Sequence, residues 1–540
     1  MLTYTPSSTV SAPAPLQPAD KPWLLIALCL LWALPGLVGH DPWKPAENQT
    51  LAVVMHMLRS GDWLLPQIAG VADLDQGPLY FWLGALLARV LGELGLPAHD
   101  AVRLSTGLWM VLGMWGIGLA AHELYGKRAG RVAVVILIGC LGLLQWGHHA
   151  SPGVLMVCGM AWLAYALVVV NRRPFKSGVA LAFALVVFGI GISFAEVVLA
   201  LLCFLLVWLL AERKKPGLFS LLVALLIAAP LLAIWPVALL QHAPDAGLLW
   251  WSQHVLGAFG GMQEIRFLHD FGFLTGIIVW FAWPALPLAI WALWLNRAVL
   301  FSQPLWRNQL LILALLVLYV VLAGRPSELL ALLLLIPLAL LAAGAVDDLR
   351  RGAAQALNWF AIATFGTGTL LLWGGWLLMR YELAPLRGEL QQYGGGGMPG
   401  AGWSTLCAFL LTALWILLLM RRHPWGRRSV TNWACGMTLT WAVFISLWQN
   451  WLDEGKSYRA VAEAVGQRVQ AGCLDVAAIS EAPRAALAYF TALPLRSDGG
   501  ACAYRLTASP QEGVGGQLLW DGARPHERRE HFYLYRMGAN

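Results

Sequence analysis

The chain has 540 residues, of which 59% are hydrophobic and only 12% are charged. A soluble globular protein carries about 25% charged residues, because its surface must be solvated. This composition excludes a soluble multidomain protein and predicts an all-α polytopic membrane protein. Lysines and arginines in cytoplasmic loops account for the formal net charge of +7, which therefore does not indicate nucleic-acid binding.

Residues 1–22 are rich in proline, serine and alanine, which predicts a disordered cytoplasmic segment without a cleavable signal peptide. About 13 apolar stretches follow, each close to the ~20 residues that a spanning helix needs. The apolar run 177–211 is split at Ser193–Glu196, because about 35 residues are too many for one crossing. The stretches lie near residues 23–39, 101–124, 130–147, 152–170, 177–193, 195–211, 217–240, 272–295, 308–323, 328–345, 356–379, 403–420 and 431–450.

Basic residues occur in every second loop, as the positive-inside rule requires of cytoplasmic loops. With the N-terminus inside, Arg172–Arg173, Lys214–Lys215 and Arg421–Arg422 all fall on the cytoplasmic side. An odd number of crossings then leads to the opposite side of the membrane. We therefore predict a transmembrane domain over 23–450 in a bacterial inner membrane and a periplasmic domain over 451–540.

Two segments on the outer side have structure of their own. The first outer loop, 40–100, contains two amphipathic stretches that predict helices lying on the outer membrane face. The polar C-terminal segment predicts a small α/β domain, in which Cys473 and Cys502 would pair if it lies outside the cytoplasm. The predicted elements are loop helices at Thr50–Leu58 and Pro78–Leu94, tail helices at Tyr458–Val469 and Ala482–Phe490, and tail strands at Asp475–Ile479, Ala503–Thr507 and His531–Arg536.

Ionisable residues are scarce in the spans and crowd into the outer loops. This distribution suits a substrate with a lipid tail in the bilayer and a charged or sugar head group at the surface. Solvated loop charges are the alternative interpretation, and the lack of paired charges at mid-membrane depth disfavours a transporter. The outer polar residues are Asp41, Lys44, Glu47, Asp62, Asp73, Asp75, Gln76, His148, His149, His254, Arg266, His269 and Arg325.

The first outer loop and the second span carry a characteristic order of motifs. This order resembles the C-type superfamily of membrane glycosyltransferases, in the branch of protein O-mannosyltransferases and lipid A aminoarabinose transferases. The resemblance covers residues 23–345, and the span count extends it to the end of the chain. The motifs are His40-Asp41-Pro42-Trp43-Lys44-Pro45-Ala46-Glu47, Ser60–Trp63, Gly77–Trp82, Arg103-Leu104-Ser105 and Tyr125–Gly130.

The resemblance implies roles for residues of the first outer loop. In that family an Asp-Glu pair in this loop is the acid–base centre, and the lysine of a Glu-Lys-Pro-Pro element contacts the lipid phosphate. Here the pair reads Ala46-Glu47 and the element reads Asp75-Gln76-Gly77-Pro78. Glu47 is therefore the expected acid–base residue, assisted by Asp41.

Donor binding is expected at residues of three outer segments. Asp75 and Gln76 would line the head-group site, and Arg325 would hold the phosphate. Arg266 and His254, in the second outer segment 241–271, are further donor-binding candidates. Charge-assisted contacts from arginine to phosphate are strong, which favours this assignment.

The sequence thus predicts a glycosyltransferase that moves a hexosyl or pentosyl group from a polyprenyl-phosphate-linked donor at the periplasmic face. The acceptor would be a lipid or glycan of the cell envelope, as in lipopolysaccharide modification, and membrane lipids would surround the protein. Because the family's aspartate and lysine are Ala46 and Gln76, the alternative is an inactive relative that binds a lipid-linked sugar or a partner protein. A divalent metal held by outer histidines is left open, and no other cofactor is expected.

Overall fold

The computed structural model describes residues 22–256, 267–323, 327–381, 402–420, 425–510, 516–525, 527 and 530–538. These residues are mostly helical, since hydrocarbon offers no partner to backbone polar groups and each must be bonded internally. In chain order the helices are α1 (Pro22–Ala33), α2 (Ala46–Ser60), α3 (Leu79–Gly92), α4 (Ala98–Tyr125), α5 (Lys127–Ile138), α6 (Leu141–Trp146), α7 (Val154–Val169), α8 (Pro174–Gly191), α9 (Phe194–Leu210), α10 (Lys214–His242), α11 (Pro244–Trp250), α12 (Phe267–Phe281), α13 (Ala285–Leu295), α14 (Pro304–Leu322), α15 (Glu328–Ala343), α16 (Arg351–Arg380), α17 (Trp403–Leu419), α18 (Trp425–Lys456), α19 (Arg459–Gly466) and α20 (Glu481–Phe490).

Six of the described helices are long and apolar enough to cross a membrane: α4, α8, α10, α14, α16 and α18. A seventh candidate is the pair α12 and α13, which meet at an angle of 98°. Shorter apolar helices, such as α1, α7, α9, α15 and α17, lie among them. Each predicted stretch falls on one of these helices or, for 130–147, on α5 and α6. The chain is therefore a multi-pass membrane protein, and the number of crossings stays a prediction.

The predicted break at Ser193–Glu196 is confirmed. Helix α8 ends at Gly191, and α9 begins at Phe194. The side chain of Ser193 caps α9 by accepting a hydrogen bond from the backbone N–H of Ala195. A serine in this position satisfies a helix donor that would otherwise have no partner.

Burial separates central helices from peripheral ones. Every residue of α15 from Ala331 to Ala343 is buried, as expected of a helix that is apolar all round and lies within a bundle. In α10 and α16, by contrast, only 22% of the apolar stretch is buried. Their exposed leucines and tryptophans form a surface suited to lipid, which agrees with the low charge of the chain.

The first outer loop contains both predicted helices, α2 and α3, joined through a short antiparallel hairpin of β1 (Gln67–Ile68) and β2 (Val71–Ala72). Helix α2 ends at Ser60, and the next residue, Gly61, has a φ of +75°, a left-handed conformation that glycine adopts without strain. Residues of α2 such as Leu51 and Val54 are fully buried in the main core, to which α20 contributes Ala485. Helix α2 is therefore enclosed between membrane helices and the C-terminal segment, rather than lying free on the membrane face.

The C-terminal segment forms a five-stranded sheet in the order β4-β3-β5-β7-β6. Strand β3 is parallel to β4 and β5, whereas β7 is antiparallel to its neighbours. The predicted strands Ala503–Thr507 and His531–Arg536 match β5 and β7, but the predicted strand Asp475–Ile479 shares only Asp475 with β3, because the chain turns at residues 477–478. Strands β4 and β6 were not predicted, since β4 has two residues and β6 has no fully buried residue. The predicted disulfide joins Cys473 and Cys502. The strands are β3 (Leu474–Asp475), β4 (Leu495–Arg496), β5 (Tyr504–Thr507), β6 (Gly516–Gly522) and β7 (Phe532–Met537).

Candidate active site

Glu47, the expected acid–base residue, forms a buried ion pair with Arg103. Glu47 lies in the first turn of α2 and Arg103 near the start of α4, and neither residue is exposed. Arg103 Nε donates to Glu47 Oε1 at 2.8 Å, and Arg103 Nη2 donates to Oε2 at 3.3 Å. The backbone N–H groups of Trp43 and Ala150 donate to the same carboxylate at 2.7 and 2.9 Å. Each oxygen of Glu47 thus accepts two hydrogen bonds.

The same guanidinium fixes the start of the first outer loop. Arg103 Nη1 donates to Asp100 Oδ1 at 2.9 Å and to the carbonyl oxygen of His40 at 2.8 Å, and Nη2 donates to the carbonyl oxygen of Asp41 at 2.8 Å. Burial alone would raise the pKa of Glu47, but the charge of Arg103 outweighs it and holds this pKa well below its usual range. Glu47 is therefore an ionised anchor, which cannot accept a proton without losing these hydrogen bonds.

Asp41, the expected assisting carboxylate, is bound to the C-terminal segment. Arg459 Nε donates to Asp41 Oδ2 at 2.8 Å and Arg459 Nη2 donates to Oδ1 at 2.5 Å. The hydroxyl of Ser457 donates to Oδ2 at 2.9 Å. Burial opposes ionisation, but the hydrogen bonds from Arg459 and Ser457 lower the pKa of Asp41 below its usual value. Asp41 thus connects the first outer loop to the start of the tail.

Asp73, unlike Asp41, lies in an environment that raises its pKa. It is half-buried between β2 and α3, and its backbone N–H donates to the carbonyl oxygen of Pro66 at 2.9 Å. Burial, together with the negative charges of Asp75 and Glu481, raises the pKa of Asp73 to about 6. Within the described ranges no basic side chain forms an ion pair with Asp73. A carboxyl group that titrates near neutral pH is suited to general acid–base chemistry.

The Asp75-Gln76 segment, expected to bind the donor, is anchored by the glycine that follows it. A Cβ at Gly77 would lie 2.0 Å from the carbonyl oxygen of Ile190, so only glycine permits this backbone approach. Asp75 is exposed and Gln76 is half-buried. The segment therefore lies against the end of α8, where the chain turns toward α9.

A lysine that sequence reasoning did not select lies beside the first outer loop. Lys456, the last residue of α18, has its Nζ 5.1 Å from the centre of the Trp43 indole. No carboxylate of the described chain lies within ion-pair distance of Lys456, whereas Lys44 Nζ is 3.5 Å from Glu527 and 3.7 Å from Glu530. Lys456 is exposed, so its charge is available to a phosphate group.

The other donor-binding candidates fall elsewhere. Arg266 and Arg325 lie outside the described residues. The backbone of His254 belongs to a π-helical segment, Trp251–Leu256, but its side chain lies outside the described part of the structure. The expectation that these three residues bind the donor therefore stays a prediction.

The outer histidines whose side chains the structure describes do not form a group of three around one point. The two ring nitrogens of His148 lie 2.6 Å from the carbonyl oxygens of Leu144 and Trp32, so each nitrogen already contacts a backbone group. His149 packs edge-on against the Trp43 ring with the ring centres 6.0 Å apart. In the part of the chain that the structure describes, no three His, Cys, Asp or Glu side chains are arranged to hold a metal ion.

The tail covers the first outer loop through contacts between residues far apart in sequence. Arg59, in the last turn of α2, donates to the carbonyl oxygens of Ala488, Tyr489 and Thr491 at 2.7, 3.1 and 3.0 Å. These carbonyls lie at the C-terminal end of α20, where a guanidinium also interacts favourably with the helix dipole. His99 Nδ1 lies 2.7 Å from the Tyr489 hydroxyl. Together with Arg459, these contacts bring Glu481 within electrostatic reach of Asp73.

Comparisons with known proteins agree with the motifs of the first outer loop. A family model described as dolichyl-phosphate-mannose-protein mannosyltransferase matches residues 75–236. Two similar relatives are undecaprenyl phosphate-alpha-4-amino-4-deoxy-L-arabinose arabinosyl transferases. The one from Edwardsiella ictaluri is 26% identical over 244 residues, which are 43% of each chain. The second, from Pseudomonas fluorescens, is 27% identical over 256 residues, which are 45% of this chain and 42% of the relative.

A solved structure extends the similarity in fold over nearly the whole chain. ArnT from Cupriavidus metallidurans bound to undecaprenyl phosphate superposes with a TM-score of 0.64 at 16% identity, covering 96% of this chain and 98% of that one. Its apo state gives a TM-score of 0.62 at 15% identity. These comparisons confirm that the chain resembles the C-type superfamily of membrane glycosyltransferases, in the lipid A aminoarabinose transferase-like branch.

Proposed function

We propose that this protein transfers a sugar from an undecaprenyl-phosphate-linked donor to a lipid acceptor of the cell envelope. The names of its relatives support this reaction, although the matched stretch spans less than half the length of the first two. The observation that carries the proposal is Asp73, a half-buried carboxyl group whose pKa is raised to about 6, two residues before the segment Asp75-Gln76 that we expect to bind the donor. The donor sugar would be an aminopentose, as the names of these two relatives indicate.

In this proposal the reaction takes place at the outer face of a bacterial inner membrane. The chain would cross that membrane about 13 times, each crossing needing about 20 apolar residues. The N-terminus would be cytoplasmic, and residues 451–540 would form a periplasmic domain. The disulfide between Cys473 and Cys502 supports an oxidising compartment for that domain.

In the proposed chemistry, different charged residues accept the proton, stabilise the phosphate and hold the outer loop in place. The acceptor oxygen attacks the anomeric carbon of the sugar while its proton passes to the carboxylate of Asp73. The bond to the undecaprenyl phosphate breaks, and the negative charge that develops on the phosphate is stabilised by cations. Lys456 would supply positive charge in place of the lysine replaced by Gln76, together with Arg325 and Arg266. Glu47 and Asp41 would act as anchors of this site.

A transfer assay with the purified, reconstituted protein tests the proposal. Asp73→Asn removes the proton acceptor while keeping the shape of the side chain, so transfer should fall by about 10²–10⁴-fold. Asp62→Asn, in the same loop but paired with His242, is the matched control and should lose much less. Donor binding, measured separately, should survive in both variants. Equal transfer by wild type and Asp73→Asn would remove Asp73 from the mechanism.

A second candidate function is an inactive relative that binds a lipid-linked sugar. It is favoured by the four hydrogen bonds that occupy Glu47, since they leave the family's surviving acidic residue without a free lone pair. In that case wild type would bind the donor but transfer no sugar to any lipid acceptor. The same assay therefore separates the two candidates.

A further inference from the structure

The Trp43 indole lies where the first outer loop meets the end of α18, and Asp453 holds it there. Trp43 is only 3% exposed. Its Nε1–H donates to Asp453 Oδ1 at 2.8 Å, although the two residues are 410 positions apart in sequence. Its backbone N–H donates to the Glu47 carboxylate at 2.7 Å. Asp453 therefore fixes the side chain of a residue whose backbone is already held by Glu47.

A second ring supports the plane of the indole. The His40 imidazole stacks on Trp43, with the ring centres 4.1 Å apart and the planes 27° apart. Both ring nitrogens of His40 contact backbone carbonyl oxygens, those of Asp41 at 2.7 Å and Gly36 at 2.9 Å, so this ring is itself held in place. Stacking constrains the plane of a ring more than its rotation within that plane. The directional hydrogen bond to Asp453 removes that remaining freedom.

The indole fixed in this way carries the ammonium group of Lys456. Lys456 Nζ lies 5.1 Å from the centre of the Trp43 ring, within the range of a cation–π contact. The carbonyl oxygen of Lys456 also accepts a hydrogen bond from the backbone N–H of Lys44 at 3.3 Å. Because Trp43 is buried and Lys456 is exposed, the contact lies where the packed loop meets the solvent.

Such a contact prepares a lysine to bind phosphate. The ammonium group lies at the end of a flexible stem, and the rotamer freedom of that stem is lost when the group binds a ligand. A contact that already restricts the ammonium group in the free protein reduces this cost. Asp453 and Lys456 are three residues apart in α18, yet within the described residues their side chains form no ion pair. Asp453 therefore acts on the lysine through the Trp43 ring.

We infer that Asp453 is a positioning residue for phosphate binding, which fixes the Trp43 indole so that this ring holds the Lys456 ammonium group toward the donor. The inference rests on the proposed function, in which Lys456 contacts the phosphate of the donor. Asp453 acts through Trp43 and is not itself a phosphate ligand. Removing a negative group near a phosphate site would by charge alone strengthen phosphate binding, whereas the loss of positioning weakens it. The direction of the effect therefore separates the two roles.

Binding of undecaprenyl phosphate to the purified full chain tests this inference. Asp453→Leu should weaken binding about two- to fivefold, the factor that a cation–π contact at an exposed site contributes. Asp453→Asn keeps an acceptor oxygen for the indole N–H of Trp43 and should bind at least as tightly as wild type. Unchanged or tighter binding by Asp453→Leu would overturn the inference, and so would an Asp453→Asn variant that binds as weakly as Asp453→Leu.

A second variant and a matched control guard against a general loss of structure. Trp43→Phe keeps an aromatic ring but lacks the indole N–H, so adding Asp453→Leu to it should change binding no further. The control is Trp448→Phe, also in α18, which removes an indole N–H bond to the carbonyl oxygen of Leu372 at 3.2 Å and should bind like wild type. If Trp448→Phe weakens binding as much as Asp453→Leu, the effect is not specific to Trp43 and the inference fails.

A double-mutant cycle with Lys456→Met separates this inference from the proposed function. Lys456→Met should weaken binding about tenfold or more, because a charge-assisted contact to phosphate is lost. Adding Asp453→Leu to Lys456→Met should have no further effect, since the group that Asp453 positions is gone. Wild-type binding by Lys456→Met would remove Lys456 from the phosphate site, and the inference with it. If Lys456→Met binds weakly but Asp453→Leu lowers binding equally with and without it, only the inference fails.

Discussion

Glu47 and Asp73 are carboxyl groups of the same outer loop, and their surroundings shift their pKa values in opposite directions. Burial disfavours ionisation of both groups. For Glu47 the charge of Arg103 outweighs this effect, whereas Asp73 lies near the negative charges of Asp75 and Glu481. Enzymes that need one permanently ionised carboxyl group and one that titrates place the two groups in environments that move their pKa values apart. In the proposed mechanism Glu47 is therefore an anchor, and Asp73 accepts the proton.

The largest expected effect comes from removing the Arg103 guanidinium, which holds Glu47 in its ionised form. Arg103→Met leaves a buried carboxylate without its ion-pair partner, which typically destabilises a protein by about 3–5 kcal/mol. Thermal unfolding in detergent should therefore occur at a much lower temperature than in wild type. Adding Glu47→Gln to Arg103→Met should recover part of the loss, because the uncompensated charge is removed. An unchanged unfolding temperature for Arg103→Met would contradict the role of Glu47 as an anchor.

The next prediction concerns the pH dependence of transfer. Only the deprotonated form of Asp73 accepts a proton, so kcat/KM should rise with pH up to about 6 and then level off. Asp75→Asn removes a negative charge that raises the pKa of Asp73, so the inflection should move to lower pH. The control is Asp62→Asn, in the same loop, because Asp62 is paired with His242 at 3.0 Å and does not affect the pKa of Asp73. A profile without an inflection between pH 5 and 7 would count against Asp73.

Much of the fold could be predicted because its signals are local. Apolar runs give the helices, basic residues give the alternation of loops, and the short polar break around Ser193 separates α8 from α9. The site was less predictable because its contacts are not local. Arg103 is 56 residues from Glu47, and Arg459 is 418 residues from Asp41. No periodicity reveals such pairs, so Glu47 could be selected from its motif, but its ion pair with Arg103 could not be predicted.

The sequence did not single out Asp73 and Lys456, to which we assign proton transfer and phosphate binding, for a related reason. Asp73 was only one of many polar residues in the outer loops, since its raised pKa depends on Glu481 in the tail. Lys456 follows the last apolar stretch, where a lysine ordinarily marks the end of a span. Its position over the Trp43 ring becomes visible only when both ends of the chain are brought together.

A third prediction uses protein stability to test whether the surroundings of Asp73, unlike those of Glu47, disfavour its ionised form. The pKa of Asp73 is higher in the folded state than the ~3.9 of an unfolded chain, so the fold loses stability as pH rises from ~3.9 to about 6, and the loss is complete above that pH. Asp73→Asn should therefore raise stability at pH 8 by roughly 1–2 kcal/mol, after a discount for solvent screening, and have little effect at pH 4. Denaturant unfolding at the two pH values measures this difference. A variant less stable than wild type at pH 8 would mean that Asp73 makes a favourable charged contact.

The smallest expected effect tests whether the tail maintains the difference between the pKa values of Glu47 and Asp73. Asp41→Asn weakens the contact with Arg459, a partly exposed pair worth about 0.2–1 kcal/mol, so the tail should open more often while global stability changes little. Faster hydrogen exchange in α19 would report this opening. Because opening moves Glu481 away from Asp73, the pH inflection of transfer should shift slightly downward, in the same direction as in Glu481→Gln. If Glu481→Gln shifts the inflection and Asp41→Asn accelerates exchange without shifting it, the tail moves independently of the charge that acts on Asp73.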